Sequence, residues 1–159
     1  MRLNKEILVQ LCAVQAEIQD LQRRIHSLEM FLKDPPVVGD VVKGTRRDGT
    51  IGPIKITGIP EPRYVQKEKL CKRYKYIMER KEEELLELTC QAEEYIQSIE
   101  QSELRTMLRL RYIDGLTWIQ VACQMNCIFP KRRIKYTEDN CWKKNQRFFE
   151  NVGSCRVKM

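Results

Sequence analysis

Residues 7–32 read ILVQLCAVQAEIQDLQRRIHSLEMFL. Within this stretch Ile7, Leu11, Val14, Ile18, Leu21, Ile25, Leu28 and Leu32 succeed one another in alternating steps of four and three residues. That spacing averages 3.5 residues and sets all of these side chains along one narrow helical face, the pattern of a coiled-coil seam. The helix is expected over 2–33. Pro35-Pro36 end it, because each ring removes a backbone donor and restricts the residue before it.

Such a seam is stable only against another helix, and a second one lies further along. Leu70, Tyr74, Ile77, Leu85, Leu88, Ala92, Tyr95 and Ile99 again follow steps of three and four, with Lys81 at one seam position. This predicts a helix over 63–99, closing on the first as an antiparallel helical hairpin; the alternative is that either seam pairs with a second copy of the chain. Lys81 either fixes the register or, more commonly for a seam lysine, extends its ammonium to water. Between the helices, Val37-Val38, Val41-Val42, the Asp48-Gly49 turn signal and the alternating Ile54-Lys55-Ile56-Thr57 predict a β-hairpin-like insert over 37–60. A lone hairpin is marginal in water, so the insert is expected to pack on the tip of the helical stalk. Residues 45–50 are expected to be mobile. Gly44 and Gly52 do not form a phosphate-binding loop.

Shorter helices follow. Ser102 is the expected N-cap of one that carries Leu104, Met107, Leu108 and Tyr112 and stops at Asp114-Gly115. Thr117 is the expected cap of the next, Trp118 to Met125, where Ala122 is small enough for a close helix crossing. Asn126 is placed in the tight turn after it, as a residue tolerant of left-handed geometry. A final helix from about Thr137 to Asn151 turns Cys141, Phe148, Phe149 and Val152 inward. Asn145 falls oddly near the same face. Trp118 is expected between helices and Trp142 over the edge of the core, while Arg111 has both a DNA contact and a partly buried salt bridge open to it. The fold class is therefore mainly α: an antiparallel helical hairpin or coiled-coil stalk with a β-hairpin-like insert over residues 1–99, and a C-terminal helix-turn-helix module over 100–159.

Charge separates the two parts. Residues 100–159 carry twelve Lys/Arg against six Asp/Glu, a net +6 of the whole chain's +7. A local basic excess is the electrostatic footprint of a polyanion binder. Enzyme chemistry is not expected: the one histidine, His26, sits on the first helix, and Glu82-Glu83-Glu84 is a solvated run rather than an acid–base pair. The seven cysteines are scattered and contain no Cys-x-x-Cys pair. They point to a reducing cytoplasm rather than a disulfide framework. Cys123 and Cys127 are read as small residues in or near a core and not as metal ligands. No cofactor is expected, no apolar run spans a membrane, and Met1 to Glu6 does not read as a secretion signal.

The stretch from Leu104-Arg105 through Leu108-Arg109-Leu110-Arg111-Tyr112-Ile113-Asp114-Gly115-Leu116-Thr117-Trp118 to Val121-Ala122 resembles the helix-turn-helix of sigma-factor region four. More closely, the chain resembles short prophage proteins of Gram-positive bacteria, related in layout to phage late-gene transcription regulators. The shared features are the coiled-coil half, an insert like Val38 to Gly44 and a stretch like Glu94 to Ile99. The resemblance implies that the helix from Thr137 is a recognition helix. Thr137, Asn140, Lys143, Lys144 and Arg147 are then the expected DNA contacts, since lysine and arginine neutralise phosphates while asparagine and arginine also read base edges. The connection before it is longer than a helix-turn-helix normally has. It adds Lys131, Arg132, Arg133 and Lys135, either as a clamp on the DNA backbone or as an insert that displaces the recognition helix.

The implied function is sequence-specific binding of double-stranded DNA by a phage or prophage transcription regulator in the bacterial cytoplasm, with host RNA polymerase and a coiled-coil homodimer as further partners. Alternatives are a small-terminase-like recognition subunit for DNA packaging and a coiled-coil adaptor whose basic end meets an acidic protein.

Overall fold

A computed structural model of the protein describes residues 3–154, and side chains from Lys5 to Asn151. It is mainly helical: α1 (Leu3–Lys33), β1 (Val38–Thr45), β2 (Ile51–Gly58), α2 (Glu61–Gln97), α3 (Ser102–Leu108), α4 (Trp118–Ile128) and α5 (Glu138–Ser154). Two compact units emerge. One is Glu17–Glu82; the other joins the chain up to Ala16 with the chain from Glu83 onward. The outer ends of both long helices are thus grouped with α3, α4 and α5.

In the Glu17–Glu82 unit, α1 and α2 run antiparallel. Ile25 and Leu28 pack on Cys71, with Leu32, Tyr74 and Met78 against them. Ion pairs at 2.5 Å between Lys75 and Glu29 and 2.9 Å between Lys81 and Glu17 flank this seam. Lys81 keeps its seam position by reaching a carboxylate on the facing helix. The α1 seam is buried as its spacing predicts, but the α2 seam is shifted: Cys71, not Leu70, takes the inner position, and Leu70 is exposed. Cys71, Tyr74, Met78 and Lys81 preserve the three–four rhythm; Tyr74 and Lys81 hold their expected positions, while Cys71 and Met78 stand where Leu70 and Ile77 were expected.

The insert is a two-stranded antiparallel hairpin, in register from Val38↔Gly58 to Thr45↔Ile51. Its turn is closed by Gly49 N to Arg46 O (2.9 Å) and Arg46 N to Thr50 O (2.7 Å), with Gly49 at φ 85°. The Asp48 carboxylate accepts from both Thr50 N and Thr50 Oγ1. A turn with this hydrogen bonding replaces the loose loop expected at 45–50. The hairpin does not bury its side chains against the helices as expected: Val38, Val41, Val42, Ile51 and Ile56 are all exposed. The pairing explains this. Alternation puts Val38, Val42, Ile54 and Ile56 on one face and Val41 and Ile51 on the other, so no single face gathers all the apolar side chains, and only Ile54 among them is partly covered.

The other unit has two adjoining cores. Leu8 and Leu11 of α1 pack on Ala92 and Ile96 at the end of α2 and on Ile99 just beyond it, with Leu108 and Phe149. Met107, Val121, Ala122, Met125, Tyr136 and Cys141 form the second. Ser102 is the first residue of α3 and not its cap; Gln101 holds the cap position without a side-chain bond. After Leu108 the helix widens into one π-type turn, Arg109–Ile113, closed by Asp114 N to Arg109 O. Gly115 at φ 69° ends it. The late carbonyls of Tyr112 and Ile113, which have no partner along the helix, accept from Gln15 Nε2 of α1 at 3.3 and 3.1 Å.

Thr117 caps α4 as expected, in a reciprocal capping box with Gln120. The helix then runs past its expected end at Met125 to Ile128, so Asn126 is helical and no non-glycine residue among those described has positive φ. Cys123 and Cys127 face solvent on α4 rather than lying in the core. Val152, expected to face inward, lies outside the described side chains.

Candidate nucleic-acid interface

The segment 129–137 joins α4 to α5, and Asn126 shapes it. Its Nδ2 donates to Tyr136 O at 2.9 Å and its Oδ1 accepts from Tyr136 N at 2.7 Å. One amide thus holds both backbone polar groups of a single residue and folds the segment back onto α4. Thr137 follows directly and caps α5, its Oγ1 accepting from Asn140 N at 3.3 Å. The start of α5 is therefore fixed next to the end of α4 despite the long connection.

Locked this way, the Tyr136 ring enters the core and its hydroxyl donates to Glu103 at 2.5 Å. Arg132 pairs with the same carboxylate and donates to the Tyr136 hydroxyl at 2.6 Å. Lys144 approaches Glu103 at 3.5 Å. Both cations also lie over the Tyr136 ring, 4.6 Å and 5.3 Å from its centre, within the range of a cation–π contact. The hydrogen bond from Tyr136, followed by those of Arg132 and the charges of Arg132 and Lys144, holds the Glu103 carboxyl below the ordinary range despite some desolvation. Burial, and then the bond to Glu103, push the Tyr136 phenol well above its ordinary value. Glu103 stays ionised and Tyr136 protonated at neutral pH.

On α5, Asn140, Lys143, Lys144 and Arg147 recur at helical spacing on one face, opposite the side that buries Cys141 and Phe149. Together with Arg132 and Lys135 they line a recess of about 160 Å³ that Ile134 and Tyr136 complete. Lys143 is paired with Asp139 at 2.6 Å, and Lys135 donates to Pro130 O at 2.8 Å. Six of the nine residues expected to contact DNA thus line one recess. Lys131 and Arg133 are exposed on the connection but do not line it, and Thr137 serves as the cap.

The aromatic and arginine expectations resolve differently. Trp142 is exposed instead of covering the core edge. It lies two residues after Asn140, about 200° around the helix, so it does not share the basic face. Trp118 packs beside the second core, with the Arg111 guanidinium 5.0 Å from its ring centre. Arg111 makes no salt bridge among the described residues and instead donates to Leu116 O at 2.7 Å, tying the end of the π-type turn. Asn145 is buried with a partner: its Oδ1 accepts from Tyr112 Oη at 3.3 Å.

Glu103, Asn126 and Tyr136 are the organising residues that the spacing did not reveal. Among the described residues no group of His, Cys, Asp and Glu is placed to hold a metal ion, and no helix is long and apolar enough to cross a membrane. Comparison with family models, curated proteins and solved structures found no match.

Proposed function

We propose that the protein binds double-stranded DNA through the exposed face of α5, with α4 and α5 acting as a helix-turn-helix whose turn is enlarged. The observation that carries this reading is the convergence of Arg132, Lys135, Asn140, Lys143, Lys144 and Arg147 on one recess. Five cations there face only two paired carboxylates, Glu103 and Asp139, and polyanion affinity depends on such an excess. The packing of Val121, Ala122 and Met125 with Cys141 supports the two-helix arrangement. The Asn126–Tyr136 bonds supply the rigidity that a short turn normally provides. Asn140 is then the base-reading candidate, at the start of the stripe.

In this reading the protein is a phage or prophage transcription regulator acting on DNA in the bacterial cytoplasm. Leu11, Val14, Ile18, Ile25 and Leu28 are already buried within one chain, which favours binding as a single chain to an asymmetric site over a coiled-coil homodimer. Selection from a random duplex library tests this. Recovery of one non-palindromic motif, lost on Asn140→Ala, supports sequence-specific reading. A pool that stays random after repeated rounds contradicts it.

A further inference from the structure

We propose that the recess between the 129–137 connection and α5 is a binding site for a single phosphate group. This deepens the DNA reading and rests on it for the source of that phosphate, a backbone phosphodiester; inorganic phosphate is the other source with the same chemistry.

Three observations carry the inference. First, the cations come from two separate elements: Arg132 and Lys135 from the connection, and Lys143, Lys144 and Arg147 from α5. A solvated helix face offers cations on one side of a ligand only, whereas these surround a concavity. Second, the walls are held in place before any ligand arrives. Arg132 and Lys144 share Glu103 and flank the Tyr136 ring, and Asn126 fixes the Tyr136 backbone. Pre-positioned donors lose little freedom on binding. Third, Lys135 and Arg147 make no ion pair with any carboxylate among the described residues, so the recess keeps unneutralised charge. Its volume of about 160 Å³ far exceeds the 10–15 Å³ or so that one water needs. Ile134, exposed and part of the lining, gives an apolar surface beside the charged centre, suited to a deoxyribose flanking a phosphodiester rather than to a fully hydrated free ion.

The test uses the full chain and two double variants that each remove two positive charges near the same connection. Lys135→Gln with Arg147→Gln alters the recess; Lys131→Gln with Arg133→Gln does not. Neither touches the Glu103 cluster, and circular dichroism confirms folding in both. Duplex DNA affinity is measured against salt, and backbone amide shifts are followed while inorganic phosphate replaces chloride at constant ionic strength. Each phosphate engaged contributes about 0.9 to the slope of log K against log salt. The recess variant is expected to lower that slope by about one such step and weaken binding roughly eightfold at 0.1 M salt, with the control variant close to wild type. Inorganic phosphate is expected to shift amides around residues 132–147 weakly, and not in the recess variant.

If wild type does not bind DNA but inorganic phosphate shifts those amides, the site stands with free phosphate as its ligand and the DNA reading fails. If DNA binds but both variants weaken it equally, and phosphate shifts nothing, the recess site is overturned while the DNA reading survives.

Discussion

Asn126 offers the sharpest contrast between what its residue type suggests and what its position does. As a left-handed turn residue it would tolerate glycine at little or no cost. In the structure it is helical, and its amide makes two hydrogen bonds to the Tyr136 backbone at 2.9 and 2.7 Å. Asn126→Ala removes both and strands a donor and an acceptor next to a buried ring. At about 1 kcal/mol for each bond, with part of a desolvation penalty added, the loss should be about 2–3 kcal/mol. Asn126→Gly should lose about 1 kcal/mol more, because glycine is the poorer residue inside a helix. Asn126→Asp should fall between wild type and Ala, since a carboxylate keeps the bond from Tyr136 N and faces Tyr136 O without a donor. Urea denaturation of the four proteins gives these differences from midpoints at a common slope. A glycine variant as stable as wild type, or an alanine variant within 0.5 kcal/mol or so of it, would refute the clamp.

Three further outcomes follow from the same packing. Glu103 has a lowered pKa in the folded state, so its contribution to stability is fully present above its unfolded value and declines as pH falls through the folded one; Glu103→Gln should flatten the stability–pH curve in that acidic window, measured by denaturation from neutral pH downward. Gly115→Ala should cost about 1–2 kcal/mol through backbone strain at φ 69° alone, because an added Cβ meets only Gln15 Oε1, at an ordinary 3.9 Å; thermal melts check this. Leu28→Ala on α1 should cost about 2–5 kcal/mol as the buried reference, whereas Leu70→Ala on the exposed side of α2 should stay within about 0.5 kcal/mol of wild type; the Leu70 denaturation curve separates the observed α2 stripe from the expected one.

Periodicity made the long helices legible, and the reasons it stopped are local. The α1 seam reads correctly from Leu11 onward because its inner positions are branched or long aliphatics with polar neighbours, whereas near its start the fully buried Leu8 stands beside the expected, only half-buried Ile7. The α2 seam misreads at two positions, where Cys71 and Met78 replace Leu70 and Ile77, because each pair is apolar and spacing alone cannot rank its members. Thr117 was legible as a cap since Gln120 completes a short-range motif. Asn126 was not, because its partner Tyr136 is ten residues away and side-chain chemistry alone allows a turn as readily as a clamp. The basic stripe on α5 follows from spacing, but its closure into a recess depends on Glu103, which meets Arg132 and Tyr136 only through tertiary packing. The hairpin's pairing was readable; its failure to bury follows from apolar residues divided between two faces.

The central claim is that the exposed face of α5 engages DNA, and fluorescence anisotropy of a labelled mixed-sequence duplex tests it most directly. Full-length protein and the Lys143→Gln, Arg147→Gln variant would be compared from low to moderate salt. Wild type is expected to bind with an affinity that falls steeply with salt, and the variant with lower affinity and a shallower slope. Absence of binding by wild type at low salt, or a variant indistinguishable from it, would contradict the claim.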